Sequence, residues 1–363
     1  MFSYFRRFDW FLFGSAVLLN LVGLAVLYST SLASAPGSAA DLDIFWKQLA
    51  FSGFGIVVCL ALAATNYRVL GVLARPLYLL GLALLVLVAL FGSTQRGATG
   101  WFRLGPLSLQ PVEVVKLLLI VFLAKFFSAS ARDLSGWRRI IGSGFSFALV
   151  FGLVMAQPDL GSGLLLLVTW LVMLLVSGVK RKQLVLLGAL CLIAAVSAWV
   201  FVLKPYQKDR LSVFINPATD PQGAGYNIRQ SLIAVGSGGF LGKGLGFGSQ
   251  SQLRFLPERQ TDFIFSVIAE ELGMVGVLAL VALFGILLWR IWLRARRAKD
   301  DFTIFLMVGI MAAVIAEVTV NVGGALSLLP LTGVTLPFIS YGGSSLVMKY
   351  AMLGVVEAVA ARE

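Results

Sequence analysis

The sequence predicts an all-α protein that crosses a membrane many times, and three observations carry that prediction. Of 363 residues, 59% are hydrophobic and only 13% are charged, with a mean hydropathy of +0.93; that charged share is about half the share of an ordinary soluble domain. Apolar runs long enough to cross a bilayer, about 20 residues each, recur from end to end. The basic residues fall in short clusters between those runs, concentrated on alternate connections.

Taken in order, the spans are expected near 8–30, 47–65, 69–91, 111–128, 139–156, 162–178, 183–203, 262–289, 303–326 and 340–360. With the N-terminus inside, the internal connections carry Arg6, Arg7, Arg68, Arg75, Lys125, Arg132, Arg138, Arg139, Lys180, Arg181, Lys182, Arg290, Arg294, Arg296, Arg297, Lys299 and Arg362. The short external loops hold only Lys47, Arg96 and Arg103. The positive-inside rule then predicts ten spans with both termini cytoplasmic, since nine or eleven would mix the two sets. Arg6 and Arg7 before an apolar run, with "LASA" at Leu32 to Ala35, resemble a cleavable signal. The run is longer than a usual signal core, so an uncleaved first span is expected.

One external segment is unlike the rest. About 204–261, before the eighth span, is too polar and glycine-rich to span and too long for a simple connector. Within it "YNIRQSLIAVGSGG" reads as a short amphipathic helix able to lie in the interface and closed by glycines. "GSGGFLGKGLGFG" matches neither the P-loop nor the GxGxxG pattern, which leaves flexible, close-packing backbone. The chain reads as a single transmembrane domain over 1–363.

Composition also excludes chemistries. The formal charge is +12, but its scatter in short clusters argues against nucleic acid as a partner. No histidine occurs, which removes His-based triads, HExxH metal sites and imidazole acid–base chemistry. The two cysteines, Cys59 and Cys191, each sit inside an apolar run, so neither a disulfide framework nor a thiolate metal site is expected.

Polar groups placed where they are expensive are the remaining candidates. Lys116 lies in the span opened by "QPVEVVKLLLI", where a mid-membrane charge costs about 3 kcal/mol on insertion scales. Glu113 is three residues earlier, on the same face, and can pair with it. A carboxylate in a first turn also simply complements the helix dipole, whereas a lysine there sits at the wrong end. Asp159 in "AQPDLGSG" reads locally as a turn or N-cap residue. Glu270 and Glu271 in "AEELG" need partners and suit an interhelical polar network, and Glu317 and Lys349 suit a structural pair. "FISYGGSS", with Tyr341 and Ser344, is a helix entry suited to close packing or to a substrate wall. In "LPERQTDFIF", Leu256 to Phe265, Thr261 or Asp262 could cap the eighth helix, and a catalytic base held at a membrane surface is the other reading of Asp262. Local sequence leaves both open.

Together "SLQPVEVVK" (108–116), "AQPDLGSG" (156–163), the block from Asp220 to Gly273 and "LPFISYGGSS" (336–345) resemble the SEDS family, the shape, elongation, division and sporulation proteins of bacterial cell-wall synthesis. The motifs lie in order along essentially the whole chain. "LPERQTDFIF" is nearer the elongation-type branch than the division-type, which tends to carry "EAHTDF"; Gln260 stands where histidine is common in both.

The resemblance implies a peptidoglycan glycosyltransferase that polymerises lipid II at the outer face of the cytoplasmic membrane, with a class B penicillin-binding protein, a transpeptidase, as partner. Asp262 matches the family's essential aspartate, Glu113 and Lys116 its paired membrane residues, and Asp159 the acidic position of its QPDLG motif. In the implied reaction an acceptor GlcNAc 4-hydroxyl attacks the anomeric carbon of a donor MurNAc, with inversion, and undecaprenyl pyrophosphate leaves. One carboxylate suffices as general base. Pyrophosphate departs more readily than the alkoxide of glycoside hydrolysis, so no second acid is needed. Positive charge at the leaving group is expected from Lys116, Arg210, Arg254 or Arg259, or from a divalent cation such as Mg or Mn. Competing readings are a flippase moving lipid II across the bilayer, a scaffold for the transpeptidase, and a ligase or polymerase of other lipid-linked polysaccharides.

Overall fold

Apolar runs uninterrupted by proline form helices because in lipid every backbone polar group must be satisfied within the segment. The structure, a computed structural model, describes residues 7–32, 42–95, 98–104, 107–130, 136–201, 208 and 212–362. Arg6, Arg96, Arg132 and Arg210, most of "LASA", and the start of the long external segment lie outside the described residues.

Ten long helices coincide with the ten expected spans: α1 (Trp10–Leu32), α2 (Asp43–Ala64), α4 (Ala74–Phe91), α5 (Pro111–Ser130), α6 (Gly136–Ala156), α7 (Leu160–Val176), α8 (Arg181–Phe201), α11 (Ile264–Arg297), α12 (Asp301–Ala325) and α13 (Gly343–Ala360). Shorter helices among the described residues include α3 (Arg68–Val72), α9 (Ala224–Ser237) and α10 (Ser249–Gln252). Pro111 stands at the first position of α5, where its missing N–H costs nothing. Asp300 caps α12 by accepting from the Thr303 N–H at 3.0 Å.

Helices α12 and α13 are buried along most of their length and form the centre of the bundle. Around them α2, α4 and α6 turn large apolar residues such as Phe54, Leu79, Leu90 and Phe145 outward. Such exposure would be costly in water and suits lipid.

Three features depart from expectation. The connection between α4 and α5 is not plain loop. It holds three short antiparallel strands, β1 (Ser93–Gln95), β2 (Ala98–Leu104) and β3 (Leu107–Leu109), in the order β1-β2-β3. Trp101 pairs with Ser93, and Phe102 with Leu109. A connection outside the helical bundle meets its backbone needs by cross-strand pairing instead.

The third span begins as a separate turn, with α3 ending at Val72 and Leu73 serving as the joint before α4. The eighth span is broken: Gly273 inside α11 has φ 64° and ψ −163°. The glycine-rich segment 238–244 inserts at the break. Its Lys243 and Gly244 N–H groups donate to the carbonyls of Glu270 and Glu271 at 3.0 and 2.9 Å, and Met274 and Val275 donate to the carbonyls of Gly239 and Phe240 at 3.1 and 3.2 Å. The helix bonds lost at the break are thus replaced strand-fashion. A Cβ on Gly273 would lie 2.2 Å from the Gly242 nitrogen, so the approach requires glycine. The close packing expected of the glycine-rich segment is thus realised as a plug seated at the break in the helix.

The amphipathic helix is α9. Asp220 accepts from the Gly223 and Ala224 N–H groups at 2.9 and 2.7 Å at its start. Its buried stripe, Gly225, Ile228, Ser231 and Ala234, faces the bundle, with Ser231 Oγ 2.7 Å from Ser266 Oγ.

Candidate functional site

Asp262 lies half-buried just before α11. The cap reading of Thr261 or Asp262 is corrected: Phe263 occupies the position before the helix, where no side chain caps it. Thr261 Oγ1 donates instead to Glu258 O at 3.3 Å. The backbone bearing Asp262 is tied at three successive carbonyls. Tyr341 N donates to Gln260 O at 2.8 Å, Ser340 Oγ to Thr261 O at 2.7 Å, and Asn321 Nδ2 to Asp262 O at 3.2 Å. The loop holding Ser340 and Tyr341 is itself gripped by Gln48, whose Nε2 donates to Ser340 O at 3.1 Å, and by Asn20 Nδ2, which donates to Phe338 O at 3.0 Å. Across from the carboxylate stands Gly333, at φ 75°, where a Cβ would lie 3.9 Å from Asp262 Oδ2.

The second centre is a closed ring of four buried charges. Lys116 Nζ is 2.7 Å from Glu113 Oε1 and 2.6 Å from Glu317 Oε1. Lys349 Nζ is 2.6 Å from Glu317 Oε1 and 3.2 Å from Glu113 Oε2. All four residues are at most 6% exposed. Two cations and two anions give no net charge, which is the condition under which burying them is tolerable. The expected pairs, Glu113 with Lys116 and Glu317 with Lys349, are therefore one device spanning α5, α12 and α13. Lys116 is explained at the wrong end of its helix because two carboxylates meet it. On α12, Asn321 follows Glu317 by one helical turn, about 6 Å of rise. That helix thus links the ring to the Asp262 backbone.

Asp159 is the N-cap of α7, accepting from Ser162 N at 3.0 Å and Ser162 Oγ at 2.7 Å. Its Oδ2 also accepts from Gln110 Nε2 at 3.2 Å, and the Gln110 N–H donates to Ser344 Oγ at 3.2 Å. Gln110, which the sequence did not single out, therefore joins Asp159 and Ser344 at the entrance of α5. Arg259 donates to the carbonyls of Ser251 and, at 2.9 Å, Thr30, so it braces the loop. Burial, and then the nearby Arg254 charge, lower its pKa from the ordinary guanidinium value. Arg254 is exposed, in a left-handed backbone conformation at φ 59°. Tyr341 contributes its backbone N–H to the Asp262 clamp.

Glu270 and Glu271 form the expected polar network. Glu270 accepts from Lys243 Nζ and Gln250 N, both at 2.9 Å, and Glu271 accepts from Ser29 Oγ at 2.7 Å. They tie the glycine plug to α1. At the other end of α11, Asp9 accepts from Arg290 and Arg294, with 2.7 Å to each guanidinium, and the Asp9 N–H donates to Glu357 at 2.9 Å. An apolar groove of about 370 Å³ between α1 and α11, lined by Leu18, Leu21, Leu272 and neighbours, includes none of the predicted site residues.

Among the described residues, no group of three His, Cys, Asp or Glu side chains is arranged to hold a metal ion.

A helical membrane bundle carrying a neutralised charge ring, linked along one helix to a clamped aspartate, is the class this fold and site define. The chain belongs to the FtsW/RodA/SpoVE family of cell cycle proteins, whose family model matches residues 9–363. This is the SEDS family that its motifs resemble. It is 39% identical to the peptidoglycan glycosyltransferase MrdB of Escherichia coli, over 93% of this chain and 91% of that protein. It is 38% identical to stage V sporulation protein E of Bacillus subtilis, over 94% and 93%. Among solved structures, it matches a chain from a peptidoglycan synthase complex coordinating polymerization and crosslinking, with TM-score 0.81 and 34% identity over 97% of both chains. It also matches the rod shape determining protein RodA of Thermus thermophilus, with TM-score 0.72 and 33% identity over 97% of this chain and 96% of that one.

Proposed function

We propose that this chain is a peptidoglycan glycosyltransferase that polymerises lipid II at the outer face of the bacterial cytoplasmic membrane, in cell elongation, with a class B penicillin-binding protein as its transpeptidase partner. Both termini lie on the cytoplasmic side, an orientation that rests on the basic residues of alternate connections. Asp262 is the catalytic residue: its carboxylate takes the proton of the acceptor 4-hydroxyl as that oxygen bonds to the donor anomeric carbon, and the undecaprenyl pyrophosphate leaves. A base gains from being held at fixed distance, because proximity converts an encounter into an internal step.

The observation that carries this reading is the Asp262 backbone, tied at three consecutive carbonyls, with the carboxylate facing Gly333. Glu113 and Glu317 hold Lys116 and Lys349 in the buried ring, and α12 links that ring through Asn321 to the Asp262 backbone. A prenyl tail stays in lipid while the sugars meet the loops. Arg210 and Arg254 remain candidates for the pyrophosphate, and Asp159, Tyr341 and Ser344 for the walls that meet the sugars.

The test is polymerisation of labelled lipid II by the purified chain with its partner. Asp262→Asn should lose at least about a hundredfold in rate while eluting and melting like the parent. Equal product from both at equal partner content would remove Asp262 from the chemistry.

A further inference from the structure

Asn321 touches both sides of the gap in which Asp262 stands. Its Nδ2 donates to Asp262 O at 3.2 Å and to Val334 O at 2.8 Å. Both acceptors are carbonyl oxygens, so the amide orientation follows from its partners. Val334 adjoins Gly333, the residue opposite the carboxylate. One carboxamide, 4% exposed, thus spans from the backbone of the base to the facing wall. Its own Oδ1 is buried without a hydrogen-bond partner, a cost that a packing role alone would not require. Ser340 repeats the arrangement one residue earlier: its Oγ donates to Thr261 O at 2.7 Å and accepts from Leu336 N at 2.8 Å.

We propose that Asn321, seconded by Ser340, is a positioning residue that sets the distance between the Asp262 carboxylate and the 333–336 wall, and hence where the acceptor hydroxyl must sit. Neither residue needs to touch substrate. The inference rests on Asp262 being the base. A displacement of about 1 Å at a reacting group is enough to lower a rate about a hundredfold. Binding through the substrate's prenyl tail and peptide should be little changed.

The experiment uses the full chain with its transpeptidase partner and measures initial rates against lipid II concentration, alongside thermal melting. Asn321→Ala and Asn321→Asp remove both donors and should lower kcat at least tenfold with KM within about twofold. Asn321→Ser keeps one donor and should recover part of kcat. Ser340→Ala, which loses its bonds to Thr261 O and from Leu336 N but none to Asp262 itself, should lower kcat by less. In an Asp262→Asn background, Asn321→Ala should lower the residual rate no further. Unchanged kcat in Asn321→Ala, or a raised KM with kcat intact, overturns the proposal while leaving Asp262 as base. Loss of kcat only in proportion to lost folded protein, with Ser no better than Ala, also overturns it. An active Asp262→Asn instead removes the reading on which it rests, whatever Asn321 does.

Discussion

Removing one lysine from the buried ring should be more damaging than removing a lysine together with a glutamate. Lys349→Met deletes two contacts, 2.6 Å to Glu317 and 3.2 Å to Glu113, and leaves two carboxylates facing Lys116 alone. The ring then carries one uncompensated negative charge among residues at most 6% exposed. Breaking a buried pair in this way costs about 3–5 kcal/mol. At about 2 °C per kcal/mol for a large chain, the apparent melting temperature should fall by about 6–10 °C. Adding Glu317→Gln restores neutrality, because Glu113 and Lys116 remain paired at 2.7 Å. The double variant should therefore regain most of the loss, staying within about 2 kcal/mol of the parent, as replaced buried pairs commonly do. The assay is melting of the detergent-purified protein followed by size exclusion, with coupling read from the four-member cycle. A double variant as unstable as the two single losses added together would refute charge balance as the reason these four residues coexist.

Other consequences follow from the same geometry. Gly273→Ala puts a methyl group 2.2 Å from the Gly242 nitrogen at a positive φ, so it should unseat the plug and cost at least about 2 kcal/mol, seen as a lower melting temperature and faster proteolysis between 238 and 250. Lys243→Met leaves Glu270 its backbone donors from Gln250 and Ser251. It should cost less than Glu270→Ala, by about 1–2 kcal/mol in a melting comparison. Gly333→Ala strains a φ of 75° and directs a methyl towards the carboxylate; kcat should fall several-fold and stability by about 1–2 kcal/mol, measured on the same preparation. Asp9→Asn loosens the two guanidinium contacts that join the chain start to α11, lowering stability by about 1–3 kcal/mol, read by melting, with lipid II KM unaffected.

What was legible beforehand was whatever depends on neighbours in the chain. Hydropathy over some twenty residues and the alternation of basic connections marked the ten helices, because membrane insertion is decided segment by segment. The cap at Asp159 and the amphipathic helix Ala224–Ser237 were equally local, as was the cost that singled out Lys116. Contacts between distant segments were not legible. Glu113 meets Lys349 across 236 residues, and spacing along one helix can suggest Glu113 for Lys116 but cannot close a ring over three helices. The break in α11 was hidden because its cause lies some thirty residues upstream, where the 238–244 backbone replaces the missing helix bonds. For Asp262, sequence offered a cap or a base. Folding removed the first by starting the helix after it, and brought Asn321, Ser340 and Tyr341 from later segments onto its backbone. Sequence by itself determined which segments cross the membrane, since that depends on transfer energies summed along the chain. Only the tertiary structure decided which buried charges neutralise one another and what holds the aspartate, since those depend on distances that only packing sets.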